Sequence, residues 1–547
     1  MVLELADVSP YTRDGLVLLS RAAKGGHEVM VKLLLEREDI NPSIADEHGQ
    51  TPLFIAAYEG HEGVVMMLLK RRDVNPNTAN DYGETPLFGA ACEGHEEVVK
   101  MLLERVDVTP NTANDDGETP LFRAAGEGHE GIVKMLLGRS DVNPNTADGH
   151  GQTPLFIAAW EGHERVVKIL LERADINPNT AKKNSLTPLL IAIREGQEGV
   201  VKMLLDRADV NPNTADGHGQ TPLCIATQKG HERVVKMLLE RVDINPNTAN
   251  KCGQVPLPKA TREGHEEIVK MLLERNDVNP NTVDGDGEPP LYIAAEKGHE
   301  RVVKILLERV DINPNTATKK GLTPLFVAAA KGHEGVAKML LEQVGINTNT
   351  TTDNTKTPLW IAASWGYGGI VKMLLERNDV NPNAASYNGE TPLSNAAWGG
   401  HELLVKMLLE RNDINPNTQD KDGQTPLFGA AQKGREGVVK MLLERNDVNP
   451  NAANSSGQTP LFIAAKKGRE RVVKILLERV DVNIDMKDLA GGTALSQALN
   501  CGHYGIVKLL LGYRNFIPPS DGDGLITLSP PGPSDPHQPP SKRIRRL

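Results

Sequence analysis

One spacing constrains this chain above all others. Threonine stands at Thr51, Thr85, Thr119, Thr153, Thr187 and Thr221, then at Thr323, Thr357, Thr391, Thr425, Thr459 and Thr493. The gap between the two runs is filled in register by Val255 and Pro289, so no insertion breaks a 34-residue step from 51 to 493. One more unit precedes it, because Ala22, Ala23 and His27 fall one period before Ala56, Ala57 and His61. Fifteen units therefore occupy residues 15–513. A fixed period in this range marks a repeat architecture, in which each unit buries its apolar face against its neighbours. The 4% aromatic content agrees with that. Thin layers of Leu, Val and Ala do not need the rings that carry much of a globular core.

Within one unit the order of residues predicts two helices and a turn. Thr51 is an N-cap acceptor, and Pro52 occupies the first helical position, where its missing N–H costs nothing. Leu53, Ala56 and Ala57 give a short first helix an inward stripe, and the paired alanines let neighbours approach closely. Gly60 breaks that helix. A second begins near His61, with Glu62 in its first turn and Val64, Val65, Leu68 and Leu69 on an apolar face. Asp73-Val-Asn-Pro-Asn, closing on Gly83, has the chemistry of a turn or hairpin finger.

The pattern resembles the ankyrin repeat. Thr-Pro-Leu is intact in eleven of the fifteen units, and Ala-Ala and Gly-His follow it in the ankyrin order. Tetratricopeptide repeats share the 34-residue period, but their Trp-x-x-Leu-Gly-x-x-Tyr signature is absent. The chain departs from the ankyrin pattern in carrying Phe where a histidine usually follows Thr-Pro-Leu, as at Phe54, Phe88 and Phe156, and in a finger two residues longer. The resemblance implies an all-α solenoid of helix-turn-helix units with hairpin or loop fingers, about fifteen of them in a curved superhelix. It also implies binding of proteins through finger tips and a concave helix face.

Little else in the sequence points to chemistry. Cys92, Cys224, Cys252 and Cys501 form no C-x-x-C pair, the N-terminal residues contain no secretory h-region, and no apolar run reaches membrane length. The chain reads as intracellular, in the cytoplasm or nucleus, without a membrane segment. Eleven of its fifteen histidines occupy the Gly-His slot. Successive ones lie about one helix spacing apart, roughly 10 Å, whereas zinc–nitrogen bonds are about 2.0–2.1 Å. They therefore read as helix-start residues that hydrogen-bond locally. His95-Glu96-Glu97-Val98-Val99 lacks the second histidine of a zincin, and no P-loop, nucleophile elbow or dinucleotide fingerprint is present. The expectation is a non-enzymatic chain with no cofactor, metal or small-molecule substrate.

Candidate partner-binding residues come from slots that vary between units. The slot after Ala-Ala holds Tyr58, Trp160 and Trp398 among others. The next slot is acidic early (Glu59, Glu93, Glu127, Glu161, Glu195) and turns basic later (Lys331, Lys433, Lys467), and Trp365 also occupies a variable slot. Tyr387 lies near the tryptophans, Trp360 replaces the Phe of its unit and reads as core, and Lys433, Arg435, Lys466, Lys467, Arg469 and Arg471 form a basic ridge. Residues 1–300 carry a net charge of −17 and residues 301–547 carry +6. That asymmetry favours steering of different partners to the two ends, or weak head-to-tail self-association, and it disfavours nucleic-acid binding by the body.

Residues 343–356 lack both the finger proline and the closing glycine, and read as the weakest repeat junction. Residues 1–14 resemble the remnant of a preceding repeat or a cap, as though cut from a longer chain. The long Asn-Pro-Asn-Thr fingers resemble those of large fungal signalling receptors built on nucleotide-switch domains, so the alternative reading is the recognition region of such a receptor. Residues 514–547 form a Pro-rich tail. It ends in a basic run, Lys542, Arg543, Arg545 and Arg546, that fits a short nuclear-import motif.

Overall fold

A computed structural model describes residues 13–514 apart from residue 39. The Pro-rich tail from 515, the basic run at Lys542, Arg543, Arg545 and Arg546, and residues 1–12 lie outside the described residues. Within them the chain is an all-α solenoid of thirty helices in fifteen pairs, with no strand. None of these helices is long and apolar enough to cross a membrane.

Each pair is built as its residues dictate. In the unit at 51 the first helix runs Pro52–Tyr58, and the Phe54 N–H donates to Thr51 Oγ1 at 3.1 Å. Proline at the first helical position leaves no donor unsatisfied there. Where threonine is replaced by Val255 or Pro289 the helix still starts on its proline, without a side-chain cap. First helices commonly end on a left-handed glycine, such as Gly94 at φ 82°, a conformation that costs a side-chain-bearing residue about 1–2 kcal/mol. The second helix of this unit is Glu62–Leu69, and Val64, Val65 and Leu68 on it are fully buried. Leu53, Phe54, Ala56 and Ala57 of the first helix are buried as well. Small alanines bring first helices together, which touch more extensively than second helices do.

The finger is a turn and not a hairpin ladder. Asn80 Oδ1 accepts the N–H groups of Tyr82 and Glu84 at 3.0 and 2.9 Å, and two backbone bonds between residues 80 and 84 close the loop around Gly83 (φ 76°). Successive tips are joined by single bonds such as Asp115 N–H to Tyr82 O at 3.0 Å. An asparagine that satisfies two amides by itself leaves too few free backbone groups for strand pairing.

The helix pairs divide into two compact units. Among the described residues one extends to Ala362 and adds Tyr367–Ala384; the other comprises Ala363–Gly366 and residues 385–514.

Candidate functional site: first-helix ends and finger tips

A partner can be read only by side chains that the array does not use to hold itself together. Seven histidines of the Gly-His slot (His61, His95, His129, His163, His299, His333 and His503) bond to the preceding repeat rather than locally: His61 Nε2 reaches Lys24 O at 2.8 Å, His95 reaches Tyr58 O at 2.8 Å and His163 reaches Gly126 O at 2.8 Å. A carbonyl can only accept, so these rings carry the proton on Nε2. Each bond runs 37 residues back, onto the end of the preceding first helix. His231 is an exception, its Nε2 buried with no hydrogen-bond partner among the described residues. Arg435 and Arg469 stand in the same slot and act the same way, with Nε donating to Trp398 O at 3.4 Å and Gln432 O at 3.3 Å.

Two further side chains stitch the fingers. Arg207 grips Asp209 through Nε and Nη2 at 2.9 and 2.7 Å, and its Nη1 donates to Leu171 O at 2.8 Å, at the end of the preceding second helix. Among the described residues twelve Arg–Asp pairs of this kind recur, from Arg71–Asp73 to Arg479–Asp481. The hydrogen bond from arginine holds the Asp209 carboxyl below its ordinary range. The second asparagine of Asn-Pro-Asn spans the next gap. Asn213 Nδ2 donates to Asp243 O at 2.7 Å, and its Oδ1 accepts the Asn245 N–H at 3.0 Å. This is an inter-repeat use of finger residues to which the sequence reading gave only turn chemistry. In the 343–356 segment Gln343 and Gly345 replace the Arg and Asp, and Gln343 turns back on Met339 O. The asparagine bridge there persists, with Asn315 Nδ2 to Gly345 O at 2.9 Å.

The slot after Ala-Ala is also less free than its variability suggested. A Cβ built on Gly89 would lie 3.4 Å from Tyr58 Cδ2, one on Gly429 3.3 Å from Trp398 Cε3, and one on Gly126 3.1 Å from Ile157 Cγ1. Residues 31 apart therefore face each other across neighbouring first helices, a large side chain opposite glycine and glycine opposite isoleucine. Arg123 Nη2, 3.6 Å from Cys92 Sγ, follows the same spacing.

The predicted partner-binding residues then sort individually. Tyr58 stacks on Phe54 with centroids 6.1 Å apart, and its phenol, bonded to Glu93, is pushed above its ordinary pKa. Trp160 meets Phe156 edge-on at 6.2 Å, with Lys182 Nζ 5.1 Å from its ring centroid. Both are partly exposed. Trp360 is buried at 4% exposure, as expected of core. In the second unit Trp365 is 62% exposed, Tyr387 66% and Trp398 40%. Lys433 Nζ stands 4.2 Å from the Trp398 centroid, and Lys421 Nζ 3.2 Å from that of Tyr387. Arg471 pairs with Glu436 of the preceding repeat at 3.5 Å. Lys466 and Lys467 are exposed and make no ion pair among the described residues. The basic ridge thus splits. Arg435 and Arg469 bridge repeats, Arg471 is paired, and the three lysines face outward.

Sequence reasoning missed Lys182 and Lys421, whose ring contacts come from the following finger. Arg262, one of the variable residues after Ala-Ala, has a bridging role that the sequence did not show: it reaches Asp284 at 2.5 Å and Glu288 at 2.9 Å in the next finger, near Tyr292, whose phenol burial pushes up to about 12. An open groove of about 520 Å³ lies between the second helices Glu232–Leu239 and Glu266–Leu273, lined by charges of both signs including Arg233, Lys236, Glu267 and Glu274. Among the described residues no group of three or more His, Cys, Asp or Glu side chains is placed to hold a metal.

A family model described as ankyrin repeats (3 copies) matches the chain in overlapping stretches: residues 2–80, 19–112, 106–182, 175–250, 242–317, 310–386, 378–454 and 446–518. No curated protein matches it. The match covers the repeats and gives no support to a nucleotide-switch receptor.

Proposed function

Because the chain belongs to the ankyrin-repeat family, whose arrays are generally protein-interaction modules, we propose that it is a protein-interaction scaffold with no chemistry of its own. Its partner is read by the first-helix ends and finger tips of the second unit. One observation carries this reading. After inter-repeat bonding has claimed seven of the slot histidines and the finger arginines and asparagines, Trp365 and Tyr387 remain mostly exposed, with Trp398 and Lys433 stacked beside outward-facing Lys466 and Lys467. Large aromatic side chains left in water amid cations are what a protein interface uses as anchors. Tyr58 and Trp160 offer a lesser patch of the same kind in the first unit.

The experiment compares affinity capture from native lysate by the full chain and by the Trp365→Ala/Trp398→Ala variant, with circular dichroism to confirm that both are folded. Proteins retained by the native chain and lost by the variant are the expected result. Identical captures would remove these residues from the site.

A further inference from the structure

We propose that the lysine–tryptophan face of the second unit docks on the acidic first-helix ridge of another copy of this chain. The inference rests on the interaction reading above and names one occupant for that face. The acidic ridge is Glu59, Glu93, Glu127, Glu161 and Glu195, one exposed carboxylate at the same place in five successive repeats. Glu59, Glu161 and Glu195 make no ion pair among the described residues, so their charge faces solvent uncompensated. In the second unit the same slot holds Trp365, Lys433 and Lys467, all exposed, with Lys466 beside the last.

The complementarity is therefore one of register as well as of sign. Both ridges step by one repeat, so opposing two successive lysines to two successive glutamates needs no distortion of either. Isolated exposed ion pairs contribute little, and a contact of this kind needs several in register plus an apolar anchor. Trp365 lies in that slot and, at 62% exposure, has most of its ring available. The whole-chain asymmetry, −17 over residues 1–300 against +6 beyond, orients the encounter. Because donor and acceptor surfaces differ, the contact is heterologous. Each added copy presents a fresh ridge and a fresh face, and assembly grows with concentration.

Sedimentation velocity of the full chain over a concentration series tests this, at ionic strengths of about 0.01 M and about 1 M, where the screening length is roughly 30 Å and 3 Å. The expected result is a sedimentation coefficient that rises with concentration at low salt and stays constant at high salt. Lys466→Glu/Lys467→Glu and Glu161→Lys/Glu195→Lys, each folded by circular dichroism, should each lose the rise when alone. An equimolar mixture of the two should regain it, since each reversed surface then meets an opposite one. A native chain that sediments as one species at every concentration in low salt overturns the proposal. So does association that persists unchanged in both reversed variants. A monomeric chain whose captured protein is lost by Trp365→Ala/Trp398→Ala would refute self-docking while leaving the interaction reading intact.

Discussion

Removing the amide of Asn213 should loosen one repeat interface without touching a helix. Its Nδ2 and Oδ1 bind Asp243 O and Asn245 N–H at 2.7 and 3.0 Å, and both partners belong to the next finger. Each such bond is worth about 0.5–1.5 kcal/mol net. Water reaches this exposed finger and replaces part of that, so Asn213→Ala should cost about 1–1.5 kcal/mol locally, close to a tenfold change in the opening equilibrium. Long repeat arrays lose all-or-none cooperativity, so residue-level hydrogen exchange is the better assay. The Asn245 amide should exchange about tenfold faster in the variant, while amides in distant repeats keep their rates. Asn213→Asp separates the two bonds. A carboxylate still accepts from the Asn245 N–H, but its second oxygen then faces the Asp243 carbonyl where a donor stood. The new carboxyl should titrate above the usual aspartate value of about 3.9. Its folded pKa being raised, the penalty is fully present at neutral pH and is relieved as pH falls through that value, when the acid proton can donate to the carbonyl. Thr214→Ala, whose hydroxyl makes no hydrogen bond among the described residues, is the control. If Asn213→Ala protects Asn245 as well as this control does, the asparagine bridge is not an interface bond.

Three other outcomes follow from the same geometry. The aspartates of the Arg–Asp pairs are held below their ordinary pKa by the arginine hydrogen bonds. Their contribution is therefore complete above about pH 4 and lost as pH falls through the depressed folded values, so the thermal midpoint should hold between about pH 7 and 5 and drop below about 4. Ser185 sits at φ 56° in the tip position that glycine holds in most units. Ser185→Gly should raise stability by about 0.5–1 kcal/mol in denaturant titration, the left-handed penalty of about 1–2 less the extra chain entropy of glycine. Gly429→Val would press on the Trp398 ring, where a bare Cβ already comes to 3.3 Å. It should destabilise by about 1–3 kcal/mol, and less in a Trp398→Ala background; an additive double-mutant cycle would refute the pairing.

What the sequence discloses about this chain, and what it withholds, divides along the repeat boundary. Thr51, Pro52 and Gly60 act within one turn of their own helices, and the Val-Val-x-x-Leu-Leu face acts within one unit. Local rules therefore predict the helix pairs, and Trp360 is buried as its slot requires. The contacts that decide the surface run 30, 31, 32, 36 or 37 residues onward or back, and no window the length of a helix contains both partners. The Gly-His histidine looks like a local helix-start residue from within its unit, and only the neighbouring repeat reveals the carbonyl it serves. Arg435 looks like a surface charge until the same carbonyl of the preceding unit is found beside it. The signal was nevertheless present in aligned units: arginine two residues before aspartate, a second asparagine after proline, and glycine 31 residues after Tyr58 and after Trp398. Repeat stacking thus consumes a definable set of polar side chains. The recognition surface is what remains after they are subtracted, which is why variability alone pointed equally at Arg469, engaged with Gln432 O, and at Lys467, which is not engaged.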